Sequence, residues 1–463
     1  MNTPALPIAA LSHRRQSLTK ALAGQPALIV AGMPRPRNYA ANAFRFRPDS
    51  HFIYLFGWGS PGAAALFVDG DVTVFMAEPD FDDALWSGPT KTLQEWAECL
   101  GVNVRPLREL EKRIEGINIV ATIPAVDAES RATQRKWLGR SVPGHSTNIA
   151  EADERLAYAM IDLRLAHDQA AQEELRLAAA VTARAHAAGL AATVPGVRES
   201  VVRAAMERAL IEQGCGTAYG SIVTVHGEIL HNEDHHNVIK DGDLLLADVG
   251  AETPSGWAGD VTRTWPVSGR FTSEQADLYD VVLRAQRNVI AAVAPGVRYR
   301  DLHLQAMREL ADGLVQLGIL RGDPRERAFD GTTALLFPHG IGHLLGLDVH
   351  DMEDLGDRAG YAPGRTRDTS AGLRYLRLDR DLRPGMLVTI EPGIYFIPAI
   401  LDSDETRSSF SDRVDWTQLQ RFRNTRGIRI EDDVLVTLQG SDVLTAAIPK
   451  DRHELETRIG LST

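Results

Sequence analysis

Titratable side chains are concentrated in one short, otherwise apolar segment of the chain. Residues 339–351, HGIGHLLGLDVHD, contain His339, His343 and His350 together with two aspartates. Two histidines four residues apart can share one face of a helix, but the glycines between His339 and His343 disfavour a helix here. The segment therefore does not match the HExxH helix of a zinc peptidase, and the glycines indicate a backbone that approaches another group closely.

Two aspartates occupy related positions in two apolar segments. Asp248 lies in DLLLADVG (243–250) and Asp260 lies in WAGDVTRTWPV (257–267), with the turn-forming residues TPSG between them. In an antiparallel hairpin whose turn is centred on Pro254, the two carboxylates would lie opposite each other, about 5 Å apart. Such a pair repels unless it shares a proton or a cation. The alternative is a pair of solvated aspartates near a turn.

Two glutamates close further apolar segments. Glu391 follows LVTI in LVTIEPGIYF (387–396), and Glu431 follows IRI in IRIEDDVLV (428–436). Taken singly, each glutamate could form a salt bridge at the end of a strand. Together with the two aspartates and His343 they form a hard, oxygen-rich set of ligands.

The charge of this set favours two divalent cations, because four carboxylates carry four negative charges. Manganese, cobalt or zinc with a bridging hydroxide would suit such a centre, and a single magnesium or calcium ion is the alternative. Three further histidines would then lie near the nucleophile, where a developing oxyanion needs stabilisation: His231, His339 and His350.

The elements that must position these side chains fall into two groups. Residues 1–165 alternate short strands and helices, which predicts an α/β domain. Strands are expected at 26–32, 64–78 and 117–122, and helices at 90–102 and 146–167. Residues 166–463 contain helices and antiparallel strands in separate blocks, which predicts an α+β domain. Its helices are expected at 168–190, 199–214, 272–296 and 301–318, and 355–383 is expected to be loop.

Composition excludes several classes of function. The chain has 463 residues, a net charge of −12 and two cysteines. The acidic balance argues against a nucleic-acid partner, and the cysteine count argues against a disulfide framework or a cysteine zinc site. No apolar run approaches membrane-spanning length, and the first residues lack the charged segment of a secretory signal. We therefore expect a cytoplasmic protein without a membrane partner.

Several motifs resemble one family, the proline-specific pita-bread metallopeptidases (M24B), which comprises prolidase and aminopeptidase P. The stretches are LLLADVGAE, GWAGDVTRTWPVSGRFT, FPHGIGHLLGLDVHD, RPGMLVTIEPGIYF and RGIRIEDDV, with FRPDSHFIYLFGW in the N-terminal region. The resemblance implies an N-terminal α/β domain followed by a C-terminal pita-bread domain, and a homodimer or homotetramer. It implies two metal ions, most often manganese, held by Asp248, Asp260, His343, Glu391 and Glu431, with Asp260 and Glu431 bridging.

The same resemblance implies hydrolysis of an Xaa-Pro bond, which is a tertiary amide without an N–H group. A metal-bridging hydroxide would attack the Xaa carbonyl, and His231 or His350 would stabilise the oxyanion. Glu391 would carry the proton, and His339 matches a third active-site histidine. The substrate would be a small peptide with proline at its second position.

Prolidase acts on dipeptides, whereas aminopeptidase P trims longer peptides. Prolidases bind the proline carboxylate through an arginine fourteen residues before the ligand glutamate, a position that Arg377 occupies here. Arg429 matches another substrate-side arginine. We therefore expect a dipeptidase, with an aminopeptidase as the alternative and a non-catalytic binding module as a remote one. Other arginines surround Arg377, so its register alone is weak evidence. HN at 231–232 and VHGE at 225–228 depart from the family's His-Tyr and Gly-Ser-Gly-Glu.

Overall fold

The computed structural model describes residues 6–80, 84–86, 88–144 and 149–460, and its contacts divide these residues into two compact units. The first unit extends to Ala171 and includes the short segments Pro254–Gly256 and Met352–Ala359. The second unit contains the remaining residues, and the division falls within the helix Gln169–Ala192.

The first unit is built on a mixed five-stranded sheet with the strand order β4-β3-β2-β1-β5. The outer pairs β3–β4 and β1–β5 are parallel, and the inner pairs are antiparallel. The strands are β1 (Ala27–Val30), β2 (Ala64–Val68), β3 (Asp71–Met76), β4 (Asn103–Pro106) and β5 (Ala121–Thr122). The helices of this part of the chain are Ile8–Leu22, Ser50–Phe56, Leu93–Leu100, Leu110–Ile114, Ala128–Leu138 and Glu151–Arg164, with 3-10 turns at Leu107–Glu109 and Glu353–Leu355.

The first unit differs from the sequence analysis in three respects. The stretch 64–78 is a hairpin rather than one strand, because Asp69 and Gly70 both adopt positive φ, as a tight turn between two strands requires. The expected helix 146–167 is described only as Glu151–Arg164, since residues 145–148 lie outside the described ranges. The helix Ile8–Leu22 was not predicted, although Leu11, Leu18 and Leu22 form its buried face.

The second unit contains two three-stranded antiparallel sheets, β10-β8-β7 and β11-β14-β15, and the strand pairs β12–β13 and β6–β9. Its strands are β6 (Gly216–Thr217), β7 (Ile222–Thr224), β8 (Leu244–Asp248), β9 (Ala251–Glu252), β10 (Thr262–Pro266), β11 (Leu387–Ile390), β12 (Gly393–Tyr395), β13 (Gly427–Arg429), β14 (Asp432–Val436) and β15 (Ser441–Val443). Its helices are Gln169–Ala192, Glu199–Ile211, Ser273–Ala292, Tyr299–Gln316, Pro324–Arg327, Pro398–Leu401, Asp404–Ser409, Trp416–Phe422 and Arg452–Arg458, with 3-10 turns at Thr333–Leu335 and Arg423–Thr425. The division between the units also falls within the short helix Asp357–Gly360. Across the described ranges, none of the helices has the length and hydropathy of a membrane-spanning segment.

Local signals place the long helices where the sequence predicts them. Thr272 and Gln275 form a reciprocal capping box at the start of Ser273–Ala292, an arrangement that contributes about 1 kcal/mol. This helix packs against Tyr299–Gln316, where the Val281 side chain lies directly against Gly313. The segment 355–383 is mostly irregular, as expected, apart from the short helix Asp357–Gly360.

The hairpin that carries the two aspartates differs in register from its prediction. Asp248 pairs with Thr262 rather than with Asp260, because Glu252 pairs with Ala258 and so centres the turn one residue later than Pro254. When the centre of the turn moves by one residue, the residue opposite Asp248 changes by two positions. Because side chains alternate along a strand, the new partner lies on the same face of the sheet as the predicted one. Regular pairing begins only at Thr262, so the expected strand 257–267 is shortened to β10.

Candidate metal centre

A cavity of about 450 Å³ lies within the second unit. All residues that the sequence singled out contribute to its wall: His231, Asp248, Asp260, His339, His343, His350, Arg377, Glu391, Arg429 and Glu431. These residues come from β8, β11, β13 and the loops beside them, so the fold brings together groups that are far apart in the sequence.

Three of the expected ligands form the tightest group. Ligand atoms of Asp260, His343 and Glu431 all lie within 4.8 Å of one another, and the three side chains are buried. His343 Nε2 lies 3.4 Å from Asp260 Oδ2 and 3.7 Å from Glu391 Oε1. Asp248 is linked to this group by the Tyr219 hydroxyl, which contacts both Asp248 and Asp260. The spacing therefore suits metal ligands that surround a common centre.

The position of His343 depends on the glycines around it. The backbone of 341–345 runs beside β11, where the Glu391 N–H donates to the Ile341 carbonyl and the Thr389 N–H donates to the His343 carbonyl. Gly342 has a φ of +149°, and a Cβ there would lie 2.3 Å from the Thr389 carbonyl oxygen. Only glycine fits this approach, which places His343 beside Glu391.

The two aspartates are held by a tyrosine that the sequence analysis missed. Tyr219 Oη lies 2.5 Å from Asp248 Oδ1 and 2.7 Å from Asp260 Oδ1. Tyr219 precedes β7 by a short turn, and no spacing rule connects it to β8 or β10. Its role becomes visible only when β7 pairs with β8 in three dimensions.

Two further groups position the carboxylates. The Thr262 hydroxyl donates to Glu431 Oε2 at 2.7 Å and accepts from Arg429 Nε at 2.9 Å. Arg429 Nη2 lies 2.6 Å from Asp248 Oδ2. Because Thr262 is the residue that pairs with Asp248, the correct register of the hairpin would have identified it.

One arginine, Arg429, faces four carboxylates of the cavity and does not balance their charge. Burial and the neighbouring acids raise the pKa of Asp260, raise that of Glu391 to about 7 and raise that of Glu431 well above its ordinary value. Burial lowers the pKa of His343, but the Asp260 carboxylate outweighs it and the net shift is upward. Buried acids that repel one another in this way are the donor set that divalent cations neutralise, so the residues present fit a metal centre.

Two histidines beside the cluster are neutral at physiological pH. Burial and the Arg429 charge lower the pKa of His339 to about 3, and burial with the charges of His343 and Arg377 lowers that of His350 to about 2. His339 Nε2 lies 2.8 Å from the Tyr395 hydroxyl and its Nδ1 lies 2.7 Å from the Gly340 carbonyl. A neutral imidazole has one N–H donor, and a carbonyl only accepts, so in His339 Nδ1 donates to the Gly340 carbonyl and Nε2 accepts from the Tyr395 hydroxyl.

The two predicted substrate-side arginines have different surroundings. Arg429 is buried, with 4% of its surface exposed, and pairs with Asp248, so in this structure it contacts a carboxylate of the cluster. Arg377 is half-buried in the cavity wall, and its positive charge lowers the pKa of His350. Arg367 also lines the cavity and was not singled out by the sequence.

Comparisons with known proteins agree over most of the chain. A family model described as "Metallopeptidase family M24" matches residues 173–438, and one described as "Aminopeptidase P, N-terminal domain" matches residues 11–121. The Xaa-Pro dipeptidase of Homo sapiens is 31% identical, with 97% of this chain and 93% of the relative covered. Xaa-Pro aminopeptidase 2 of Streptomyces coelicolor is 32% identical, with 97% and 90% covered. The zinc-substituted aminopeptidase P of Escherichia coli in complex with product has a TM-score of 0.80 at 28% identity, with 98% of each chain covered.

Proposed function

Because this chain belongs to metallopeptidase family M24, we propose that it is a dinuclear-metal exopeptidase that cleaves the Xaa-Pro bond, and that its preferred substrates are Xaa-Pro dipeptides. The expected fold class, an N-terminal α/β domain before a pita-bread domain, is confirmed by the two family matches and the structural match. The observation that carries the proposal is the convergence of five acidic and imidazole side chains, from four separate strands and loops, on one cavity.

Asp248, Asp260, His343, Glu391 and Glu431 would hold the two cations. As the family resemblance implies, Asp260 and Glu431 would each hold both cations, and both belong with His343 to the tightest group of ligand atoms. When bound, a pair of divalent cations lowers the pKa of water and polarises a carbonyl oxygen. We propose manganese as the resident metal, with cobalt or zinc as alternatives, and an oxygen-rich ligand set with one imidazole supports each of them.

The protein's own groups would do the remaining work. His231 and His350 line the cavity and can donate an N–H to the carbonyl oxygen of the scissile bond as negative charge develops there. Glu391 faces the same cavity and is the proposed proton carrier to the proline nitrogen. Since the Xaa-Pro amide has no N–H group, recognition must come from the carbonyl and from the two ends of the substrate.

The preference for dipeptides rests on the cavity wall. Arg377 lines the cavity together with Arg367, and a guanidinium can bind a terminal carboxylate through two parallel hydrogen bonds. The aminopeptidase alternative is supported equally by overall similarity, because the two relatives differ by one percentage point in identity. The free carboxylate of a dipeptide is therefore the feature that separates the two activities.

One experiment tests both levels of the proposal. The purified protein, loaded with manganese, is given an Xaa-Pro dipeptide and a tetrapeptide that starts with the same Xaa-Pro sequence, and kcat/KM is measured for each. We expect at least a tenfold preference for the dipeptide, about 1.4 kcal/mol in transition-state binding. A preference for the tetrapeptide would establish the aminopeptidase alternative, and failure to cleave either substrate would refute the Xaa-Pro assignment.

Three further expectations stay predictions. The assembly is proposed to be a homodimer or homotetramer, which light scattering of the purified protein would measure. The partner of the site is proposed to be a small peptide, without nucleic acid or membrane. We also propose the cytoplasmic location that the sequence analysis expects from the lack of a long apolar run and of a recognisable secretory signal.

A further inference from the structure

A single carboxylate, Glu233, lines the cavity on a part of its wall that the metal cluster does not use. It belongs to the segment HNED, where this chain departs from the family pattern. Within the described residues, the Glu233 carboxylate forms neither an ion pair nor a hydrogen bond. It differs in this from Asp248, which pairs with Arg429, and it offers a negative charge to whatever occupies the cavity.

The turn around Asn232 orients this side chain. Asn232 is buried, its Nδ2 donates to Thr224 Oγ1 at 2.9 Å, and its Oδ1 accepts from the Asp234 N–H at 3.0 Å. These two bonds fix the residue between His231 and Glu233 towards the protein interior. Its two neighbours therefore face away from that interior, and both line the cavity.

A glycine makes room for the carboxylate. A Cβ on Gly220 would lie 2.8 Å from Glu233 Oε1 and 3.4 Å from Oε2, so the carboxylate packs directly on the Gly220 backbone. Gly220 follows Tyr219, whose hydroxyl contacts two carboxylates of the proposed metal centre. Glu233 therefore lies beside the residue that follows Tyr219 in the chain.

Two apolar side chains close to Gly220 and Glu233 in sequence line the same cavity. They are Ile222, with 5% of its surface exposed, and the half-buried Leu230. An apolar surface that ends in a carboxylate matches the chemistry of a lysine or arginine side chain, which packs its methylene groups and keeps its charged end near an acid. A substrate with a shorter neutral side chain at its first residue would make no contact with the Glu233 carboxylate, and an acidic side chain there would be repelled by it.

We propose that Glu233 selects substrates whose first residue is basic, so that the preferred dipeptides are Lys-Pro and Arg-Pro. This inference rests on the proposed function, since it assigns the Xaa side chain of the same reaction. Glu233 is a specificity residue here and takes no part in the chemical step. The interaction would act on substrate binding, so it should change KM more than kcat and should weaken as salt is added.

The test compares Lys-Pro, Ala-Pro and Glu-Pro as substrates of the manganese-loaded protein and of its Glu233→Gln variant. We expect kcat/KM for Lys-Pro to exceed that for Ala-Pro in the wild type and to fall about tenfold in the variant, the size of a partly exposed charge-assisted contact. Ala-Pro should change less than about twofold. Charge reversal in Glu233→Lys should make Glu-Pro a better substrate than Lys-Pro.

A neighbouring residue supplies the matched control. Asp234 carries the same charge, its side chain is 81% exposed, and it does not line the cavity. Asp234→Asn should therefore leave the order of the three substrates unchanged. Equal loss on Lys-Pro and Ala-Pro in Glu233→Gln, with the Asp234 control normal, would overturn the inference while leaving the Xaa-Pro activity intact. If the wild type cleaves none of the three dipeptides, the dipeptidase proposal itself would be refuted.

Discussion

Tyr219 places one hydroxyl oxygen between two carboxylates, 2.5 Å from Asp248 and 2.7 Å from Asp260. A phenol has one hydrogen, so it can donate to one of these acids at a time. The second contact then requires a proton on a carboxylate, and burial together with the Asp248 charge raises the pKa of Asp260 in the direction that permits this. The tyrosine therefore bridges the two side chains when one of the carboxylates carries a proton.

Tyr219→Phe should weaken metal binding while leaving the fold intact. The phenyl ring keeps the packing, but Asp248 and Asp260 lose the shared contact that sets their spacing. Partners of metal ligands typically contribute 10- to 100-fold in affinity, so we expect manganese to bind about tenfold more weakly or worse. Calorimetric titration of both proteins measures this, and Tyr158→Phe, at a more exposed tyrosine of the first unit, serves as the control. Unchanged manganese affinity would show that the tyrosine does not organise the centre.

Asp260→Asn should remove hydrolysis of every Xaa-Pro substrate together with at least one bound metal. An amide keeps the shape of the side chain but removes the negative charge, and Asp260 belongs to the tightest group of ligand atoms. Metal analysis of the purified variant and turnover of Ala-Pro measure the two effects. Normal turnover at reduced metal content would mean that Asp260 is not a required ligand.

Gly342→Ala should displace His343 and lower both stability and activity. The added Cβ would meet the Thr389 carbonyl oxygen at 2.3 Å and the Tyr299 hydroxyl at 2.5 Å, while the φ of +149° is itself strained for alanine. We expect a loss of about 2 kcal/mol or more in the free energy of unfolding. Gly216→Ala, where nothing lies within 4 Å of the added methyl group, is the matched control. Equal melting temperatures for the two variants would contradict the tight approach of the His343 segment to β11.

The structure brings the candidate ligands to one cavity, although the local geometry around them differs from its prediction. These candidates could be singled out because carboxylates close apolar segments and because glycines surround His343, both of which are short-range signals. The predicted register of β8 with β10 was wrong, because a shift of one residue in the turn changes the register. The prediction centred the turn on Pro254, whereas the pairing of Glu252 with Ala258 centres it one residue later.

Tyr219 could not be predicted for a different reason. Its contact with Asp248 depends on β7 pairing with β8, a relation between residues whose separation carries no periodic signal. The same holds for the carboxylate of Glu233, which approaches Gly220 only after the chain has folded. Long-range contacts of polar groups thus escape the patterns that identify helices and strands. The helix Ser273–Ala292, in contrast, has local signals at both ends, the capping box of Thr272 and Gln275 and the Pro295-Gly296 pair beyond its end.

Acid should destabilise the protein partly through His303, which is fully buried on the helix Tyr299–Gln316. Burial lowers its pKa to about 4, below the ordinary value of 6.5. The unfolded chain therefore binds a proton first as the pH falls, so stability that is present above pH 6.5 is lost progressively down to about pH 4. A shift of this size corresponds to about 3 kcal/mol.

His303→Gln separates this contribution from other acid effects. Glutamine can donate to the Gly372 carbonyl, which His303 Nε2 contacts at 2.7 Å, but it does not titrate. We expect the variant to be less stable than the wild type at pH 7 and the difference in melting temperature to narrow as the pH falls towards 4. Measurements with a chelator present keep metal release from contributing. A constant difference from pH 7 to pH 4 would mean that His303 does not titrate in this range.

Arg377→Ala should raise KM for Xaa-Pro dipeptides far more than for Xaa-Pro-Yaa peptides. A dipeptide places its carboxylate directly after proline, where a guanidinium in the cavity wall can bind it, whereas a longer peptide has an amide there. Loss of a charge-assisted contact in a partly buried site corresponds to about tenfold in KM or more. Arg374→Ala is the control, because Arg374 is exposed, stacks near Tyr375 and does not line the cavity. An equal rise of KM for both kinds of substrate would show that Arg377 supports the cavity wall without reading the carboxylate, and the carboxylate would then have to be bound elsewhere, with Arg367 as the next residue to replace.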